Sequence, residues 1–441
     1  MQHQRATSVA LICLGCAKNL VDGERMLATL ARGGCAVGAP VEDADVIVVN
    51  TCGFIGPARD ESLSAIREAL GRKDAGRTER VVVAGCLVNR DRDALWAEAP
   101  GIDAIVGVDD REEILRAVTA AAPATLLSPC DGRIHSDAGR FRLTPRHTAY
   151  LRIAEGCSQR CTFCTIPAIR GPFRSKPPRE VLAEAEELVA DGAVELNLIA
   201  QDTTGYGRDL AGGWTLDRLL RALDDVDGVA WIRLHYAHPR GFDADAIDAM
   251  TDCAHVVPYV DLPLQHINDD VLRRMGRRVR RDEIETLLDR LDRCLDAPAV
   301  RTTFIAGFPG ETEAQFAELL DFARQRRFDE VGVFEFFAER GTAAGGMDGQ
   351  LDADVISARA AALIEAVDGI ARQNAVGRVG QRLGVLVDGR AEGGGVFGRH
   401  ARQAPEVDSV CLLDADVPPG TFLDAEVTGT DGANLLCRVA S

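Results

Sequence analysis

Thirteen cysteines occur in the 441 residues, and two groups of three could do chemistry. The compact group is Cys157, Cys161 and Cys164 in EGCSQRCTFC, a CxxxCxxC spacing. Three thiolates on one short loop can ligate three irons of a cubane cluster. The fourth iron then has no protein ligand. An open iron can bind and activate a substrate rather than only pass electrons. The alternatives are a zinc knuckle or buried apolar thiols. A zinc site needs a fourth ligand nearby, and none is obvious.

The dispersed group is Cys16, Cys52 and Cys86, in the contexts LGC, NTC and AGC. Each follows a short apolar run, where a βα loop should begin. In a parallel sheet such loops open at one edge, so thiols far apart in sequence can converge there. A small neighbour lets backbone come close to a bulky cofactor. From the residues alone, a second three-thiolate cluster and three independent buried cysteines both remain open. Cys13, Cys35, Cys130, Cys253, Cys294, Cys411 and Cys437 show no partner spacing and read as structural.

The elements that must position these loops are readable from periodicity. Strands are expected at Val9–Leu14, Val46–Val49, Val81–Ala84 and Ile102–Val106. Helices are expected at Leu20–Ala31, Pro57–Leu70, Asp91–Ala97 and Glu112–Ala121. This alternation predicts an α/β domain, a doubly wound parallel sheet, over residues 1–125. Pro123 to Arg146 is rich in Pro, Gly, Ser and Asp and reads as a linker. Strands at Tyr150–Ile153, Glu195–Ala200, Trp231–His235, Val257–Leu262, Arg301–Ala306 and Glu330–Phe334 then alternate with helical pattern. Six βα-like units predict a partial barrel over 143–372, with its site at the C-terminal ends of the strands. Short strands with Gly and Pro turns over 376–441 predict a small antiparallel β-barrel.

The net charge of −18 disfavours a phosphate backbone as partner, so no nucleic-acid partner is expected and a basic protein is. No run of about 18 apolar residues is present, so no membrane association is expected. The early apolar run is too short for a secretory core region. An odd number of cysteines without an export signal reads as cytosolic metal ligands or buried thiols, not disulfides.

CxxxCxxC with Phe163 before the last cysteine resembles the radical S-adenosylmethionine (SAM) superfamily. LGCAKNLVDGERM, VNTCGFI and VAGCL resemble the methylthiotransferase family within it. AQDTTGYG, RLHYAHP, YVDLPLQHINDDVLRRMGR and TTFIAGFPGETE fit the middle domain of that family. The resemblance covers nearly the whole chain. It implies a cluster-binding N-terminal domain, a radical SAM core and a C-terminal TRAM domain. It also implies two [4Fe–4S] clusters, one on Cys157, Cys161 and Cys164 with SAM, the other on Cys16, Cys52 and Cys86.

One branch of that family modifies an adenosine of transfer RNA. The other, the RimO branch, modifies the β-carbon of an aspartate in a small-subunit ribosomal protein. GCAKNLVDGERM, NTCGFIGPARDESL and GRHARQAPEVD resemble the latter. Residues 376–441 carry six Arg, no Lys and nine Asp plus Glu, which suits a basic ribosomal protein better than RNA. The implied chemistry also needs an electron donor. A non-catalytic iron–sulfur carrier is the competing class.

Several side residues are candidates within that resemblance. Phe163 is expected near the SAM adenine, and Gln201, Asp202, Arg233 and His235 near SAM or substrate. His266 and the turn Gly307-Phe308-Pro309-Gly310 are weaker candidates. Phe336 and Phe337 stand where the RimO branch tends to have Tyr-Ser, and Gln403 replaces an expected acid. These departures leave the cysteines untouched.

Overall fold

In a computed structural model, residues 5–391 and 393–440 are described. The N-terminal unit is a six-stranded parallel sheet. Ser8–Cys13, Val46–Thr51, Arg80–Gly85 and Ala104–Val106 fulfil the expectation from periodicity. Ala36–Val37 and Ala124–Leu126 add an edge on each side. The first is too short to show a period, and Pro123 disguised the second. Strand Val46–Thr51 is buried throughout, as a central parallel strand should be. Ile47, Val49, Val81 and Val83 face helices Gly56–Asp74 and Cys86–Glu98 through Leu63, Ile66 and Leu95. Val46, Val48 and Val82 face Ala17–Arg32 and Ile114–Thr119 through Met26, Leu30 and Val118. Helices on both faces make the sheet doubly wound.

The middle unit has six parallel strands: Thr148–Arg152, Glu195–Ile199, Trp231–Leu234, Val256–Asp261, Ala299–Ala306 and Glu330–Glu335. They pair in sequence order and leave the first and last unpaired to each other, so the barrel is open. Leu196, Leu198, Ile232 and Leu234 pack outward against Val181, Ala185, Leu219 and Ile247 of the surrounding helices. The alternate positions Glu195, Asn197, Arg233 and His235 are buried on the inner face. The period of two places polar chemistry inside and oil outside.

The C-terminal unit is a closed five-stranded barrel. It is antiparallel except where Cys411–Leu413 runs parallel to Asn434–Val439. An odd number of strands cannot alternate direction all the way round a closed ring, so one pair must be parallel. The small antiparallel barrel expected from the turns is therefore present, closed by one parallel seam.

The stretch between Leu126 and Thr148 has no helix or strand but is not a loose linker. Arg140 pairs with Glu24 at 2.9 Å, and Leu143 N donates to Glu24 at 2.7 Å. This segment straps the two α/β units together. Among the described residues, no helix is long and apolar enough to cross a membrane.

Candidate active site

The three dispersed cysteines all follow sheet strands at the same edge. Cys16 caps helix Ala17–Arg32, Cys52 follows Val46–Thr51, and Cys86 opens helix Cys86–Glu98. The loops stack closely. A Cβ on Gly15, whose φ is +91°, would stand 2.8 Å from Cys52 Cβ and 3.1 Å from its sulfur. A Cβ on Gly53 would stand 2.8 Å from Leu87 Cα and 3.2 Å from the Cys86 carbonyl carbon. Asn19 Nδ2 donates to Leu14 O at 2.6 Å and to Thr51 O at 3.3 Å, tying the first loop to the second. Thr51 Oγ1 donates to Ala84 O at 2.6 Å, tying the second to the third. Cys16 is exposed, Cys52 half-buried and Cys86 buried.

Cys157, Cys161 and Cys164 lie on the loop after Thr148–Arg152, at the C-terminal end of the barrel strands. Cys157 N donates to Gly171 O at 3.1 Å, Thr162 N to Met275 O at 2.9 Å, and Ala344 N to Thr162 O at 2.8 Å. Gln159 N points at the Cys157 sulfur from 3.4 Å. The buried Arg277 guanidinium stands 3.9 Å from the Cys161 sulfur and also donates to Pro263 O.

Burial pushes the Cys157, Cys164 and Cys86 thiols up to about 12, so bare thiolates are costly there. A bound metal would remove that cost by taking the negative charge. The protein crowded around Cys16 would raise its thiol too, although its surface is exposed, but the Lys18 ammonium and Arg170 guanidinium outweigh this and hold it below its ordinary range.

A buried ionic network joins the two loops. Asp22, Asp137, Glu155 and Glu184 balance Arg111, Arg152, Arg170 and Lys176, all eight buried. Arg152 meets Glu155 at 2.5 Å, Asp22 at 2.8 Å and Asp137 at 3.1 Å. Lys176 meets Glu184 at 2.6 Å and Asp137 at 2.8 Å. Arg170 ends the helix Ile166–Arg170 that leaves the CxxxCxxC loop. It reaches Asp22 at 2.9 Å, Glu155 at 3.2 Å and the Cys86 sulfur at 3.3 Å. Equal charge on both sides offsets the desolvation of each ion.

The other candidates separate into groups. Gln201 comes to the cysteine loop, donating to Glu155 at 2.6 Å with its own Oε1 left unpartnered. Asp202 accepts from Gln159 Nε2 at 2.9 Å and Thr204 Oγ1 at 2.7 Å. Phe163 packs on Val271, Met275, Phe308 and Phe336. With Phe54, Ile55, Ile305 and Phe337 it lines an apolar cavity of about 100 Å³. The substituted Phe336 and Phe337 therefore belong to that cavity wall.

Arg233 is not brought to the cysteine loop. Its guanidinium donates instead to Glu195, the first residue of the neighbouring strand, at 3.0 Å and to Ala401 O of the C-terminal barrel at 2.7 Å. Arg399 of that barrel meets the same Glu195 at 2.7 Å. Strand position alone could not tell which inner-face residues the C-terminal barrel covers. His235 is engaged by Asn197 at 2.9 Å, and burial keeps it neutral. His266 is buried, accepting from Asn268 N at 3.0 Å, and burial lowers it to about 3. Glu311 closes the Gly307 turn by accepting from Gly307 N at 2.8 Å and Phe308 N at 3.1 Å.

Sequence reasoning missed Arg170, Arg277 and Lys18. Their nearness to cysteines in the chain was the available signal for Arg170 and Lys18. Among the described residues, no three His, Cys, Asp or Glu could hold a single metal ion. The glycine cradle at Gly15 and Gly53, the all-thiol donors and the neighbouring cations fit two larger anionic clusters.

Three family models match the chain: the radical SAM superfamily over residues 151–323, an uncharacterised protein family, UPF0004, over 8–107, and the TRAM domain over 379–439. The ribosomal protein uS12 methylthiotransferase RimO of Anaeromyxobacter sp. (strain K) is 43% identical over 99% of this chain and 94% of its own length. The chain belongs to the RimO family. The RimO protein of Geobacter sulfurreducens is 40% identical over 98% of each chain. This RimO-family chain is thus a radical SAM methylthiotransferase with two [4Fe–4S] clusters and SAM as cofactors. Its fold is also similar to that of the radical SAM methyltransferase TsrM from Kitasatospora setae, with TM-score 0.55 at 18% identity, covering 77% of each chain.

Proposed function

We propose that this enzyme places a methylthio group on the β-carbon of an aspartate in ribosomal protein uS12. The observation that carries the reading is the placement of two cysteine triplets at adjoining strand ends, with Arg170 reaching from one loop to the other. The full-length similarity to RimO proteins supports uS12 as the target.

In this reading Cys157, Cys161 and Cys164 hold the SAM-binding cluster, and Cys16, Cys52 and Cys86 hold the second. When bound, the clusters and SAM supply one-electron bond cleavage, hydrogen abstraction from an unactivated carbon, sulfur and a methyl group. The protein orients and excludes water. Gln201, held by Glu155, keeps a buried carbonyl oxygen without a partner among the described residues. Arg277 sets positive charge beside Cys161. Phe163 provides an apolar wall, and the Phe54–Phe337 cavity admits an apolar part of a ligand.

We assign the functions to 1–125, 143–372 and 376–441, and place the enzyme in the cytoplasm with an electron donor as partner. No membrane or nucleic-acid partner is included. The charge argument for the C-terminal barrel narrows, since Asp388 and Asp408 are spent on Arg399 and Arg301.

The test is mass spectrometry of ribosomal proteins from a deletion strain. uS12 should lose about 46 Da, one methylthio for hydrogen. An unchanged uS12 mass defeats the assignment, and loss of the modification from transfer RNA instead would favour the other branch.

A further inference from the structure

We infer that Lys18 receives the carboxylate of the target side chain and so makes this site selective for an acidic residue. The inference rests on the aspartate reading above. Ten Lys and Arg side chains are buried. Eight of them, such as Arg140, Lys176, Arg233 and Arg399, have a carboxylate in direct contact. Among the described residues, only Arg277 and Lys18 have none. Arg277 is turned to Cys161 and a backbone carbonyl. Lys18 Nζ has no carboxylate or hydrogen-bond acceptor in contact among the described residues; its charged neighbour is the Cys16 thiol, which it lowers.

An ammonium drawn in among buried groups without a carboxylate to meet it is costly. Lys18 is also misplaced along its helix. It lies in the first turn of Ala17–Arg32, where the helix dipole repels a cation. What holds it is the ring of Tyr236, with Nζ 3.1 Å from the centroid. An aromatic face attracts a cation but does not neutralise it. Tyr236 adopts φ +56°, a left-handed conformation rare for an aromatic residue. Such strain persists where surrounding structure enforces it, often at ligand sites. Here Tyr236 N is pinned to Asp261 at 3.1 Å.

The nearby carboxylates are already engaged. Asp261 accepts from Tyr236 N and from Arg301 at 3.1 Å, and Glu155 is shared by Arg152, Arg170 and Gln201. The place is accessible: Cys16 is exposed and Tyr236 half-buried. It also faces the barrel, because Ala17, Leu20 and Val21 pack with Tyr150, Ile199 and Tyr236. In an aspartate the β-carbon is bonded directly to the carboxyl carbon. A cation that fixes the carboxylate therefore fixes the reacting carbon beside the Cys16 loop. A neutral base such as adenine offers Lys18 ring-nitrogen acceptors but no counter-charge.

The test uses the anaerobically reconstituted full chain as wild type, Lys18→Met and Lys18→Arg. Dissociation constants are measured for purified uS12 and for uS12 with its target Asp changed to Asn, with iron per chain measured alongside. Wild type should prefer the Asp form roughly 10- to 100-fold. Lys18→Met should lose the preference with iron retained, and Lys18→Arg should keep most of it. A preference that survives in Lys18→Met, or is absent from wild type, overturns the inference. Loss of iron from Lys18→Met also overturns it, since Lys18 would then serve the cluster as counter-charge. Methylthiolation of uS12 by wild type is followed separately. If it occurs while Lys18→Met keeps the preference, only the inference fails. If it does not occur, the substrate reading fails and takes the inference with it.

Discussion

Arg170 Nη2 stands 3.3 Å from the sulfur of Cys86, although the two residues belong to different α/β units. The same nitrogen lies 2.9 Å from Asp22. The short helix that leaves one cysteine loop thus ends against the other. The two sites cannot move independently without separating buried ions.

Arg170→Met should therefore damage both stability and the second site. Breaking a buried ionic network from one side costs about 3–5 kcal/mol. The urea midpoint should fall, and iron should be lost from the Cys16, Cys52 and Cys86 site first. Arg170→Lys should rescue only part, because one ammonium cannot reproduce the guanidinium fork. Unfolding curves and iron content check both outcomes.

The two triplets should separate functionally. Cys161→Ala should abolish 5′-deoxyadenosine formation and methylthiolation together. Cys52→Ala should leave SAM cleavage intact but stop sulfur insertion. Chromatography of SAM products beside mass analysis of uS12 distinguishes them. Full methylthiolation by Cys52→Ala would sink the role given to the second triplet.

Gly15→Ala should disrupt the second site through shape alone. Its Cβ would press on Cys52 at 2.8 Å, and the backbone φ of +91° is strained for alanine. Iron should fall from about eight to about four per chain, one cubane lost. Gly34→Ala is the control: its φ is +86° but no atom lies within 4 Å of the added carbon. That variant should retain its iron.

Glu195 should make the junction between the barrels sensitive to acid. Burial alone would raise its carboxyl, but Arg399 and Arg233 hold it well below the ordinary 4.5. A depressed folded value means the stabilisation is fully present above the unfolded value and fades as pH falls below it. Glu195→Gln should lose about 3–5 kcal/mol near neutrality and flatten the acid dependence below pH 4.5. Trp231 packs edge-on against Phe422 of the C-terminal barrel with centroids 5.0 Å apart. Its fluorescence should report the separation.

The chain on its own determined the elements and the thiol loops. Period-two and helical patterns are local, so Val46–Thr51, Arg80–Gly85 and the barrel strands were legible. Parallel topology then required Cys16, Cys52 and Cys86 to share an edge, and CxxxCxxC needed no tertiary information. Ala124–Leu126 was hidden by its proline. The segment before Thr148 was mistaken for a linker because a strap held by Arg140 and Glu24 has loop composition.

Tertiary structure alone decided which charges meet. Arg233 and Gln201 both come from inner-face strand positions or strand ends, yet one pairs toward the C-terminal barrel and the other toward the cysteine loop. Arg170 finds Asp22 across 148 positions, and Lys18 finds the ring of Tyr236. Local pattern records whether a side chain prefers water. Only the packed fold shows which partner replaces that water, because desolvation and pairing depend on groups far away in sequence.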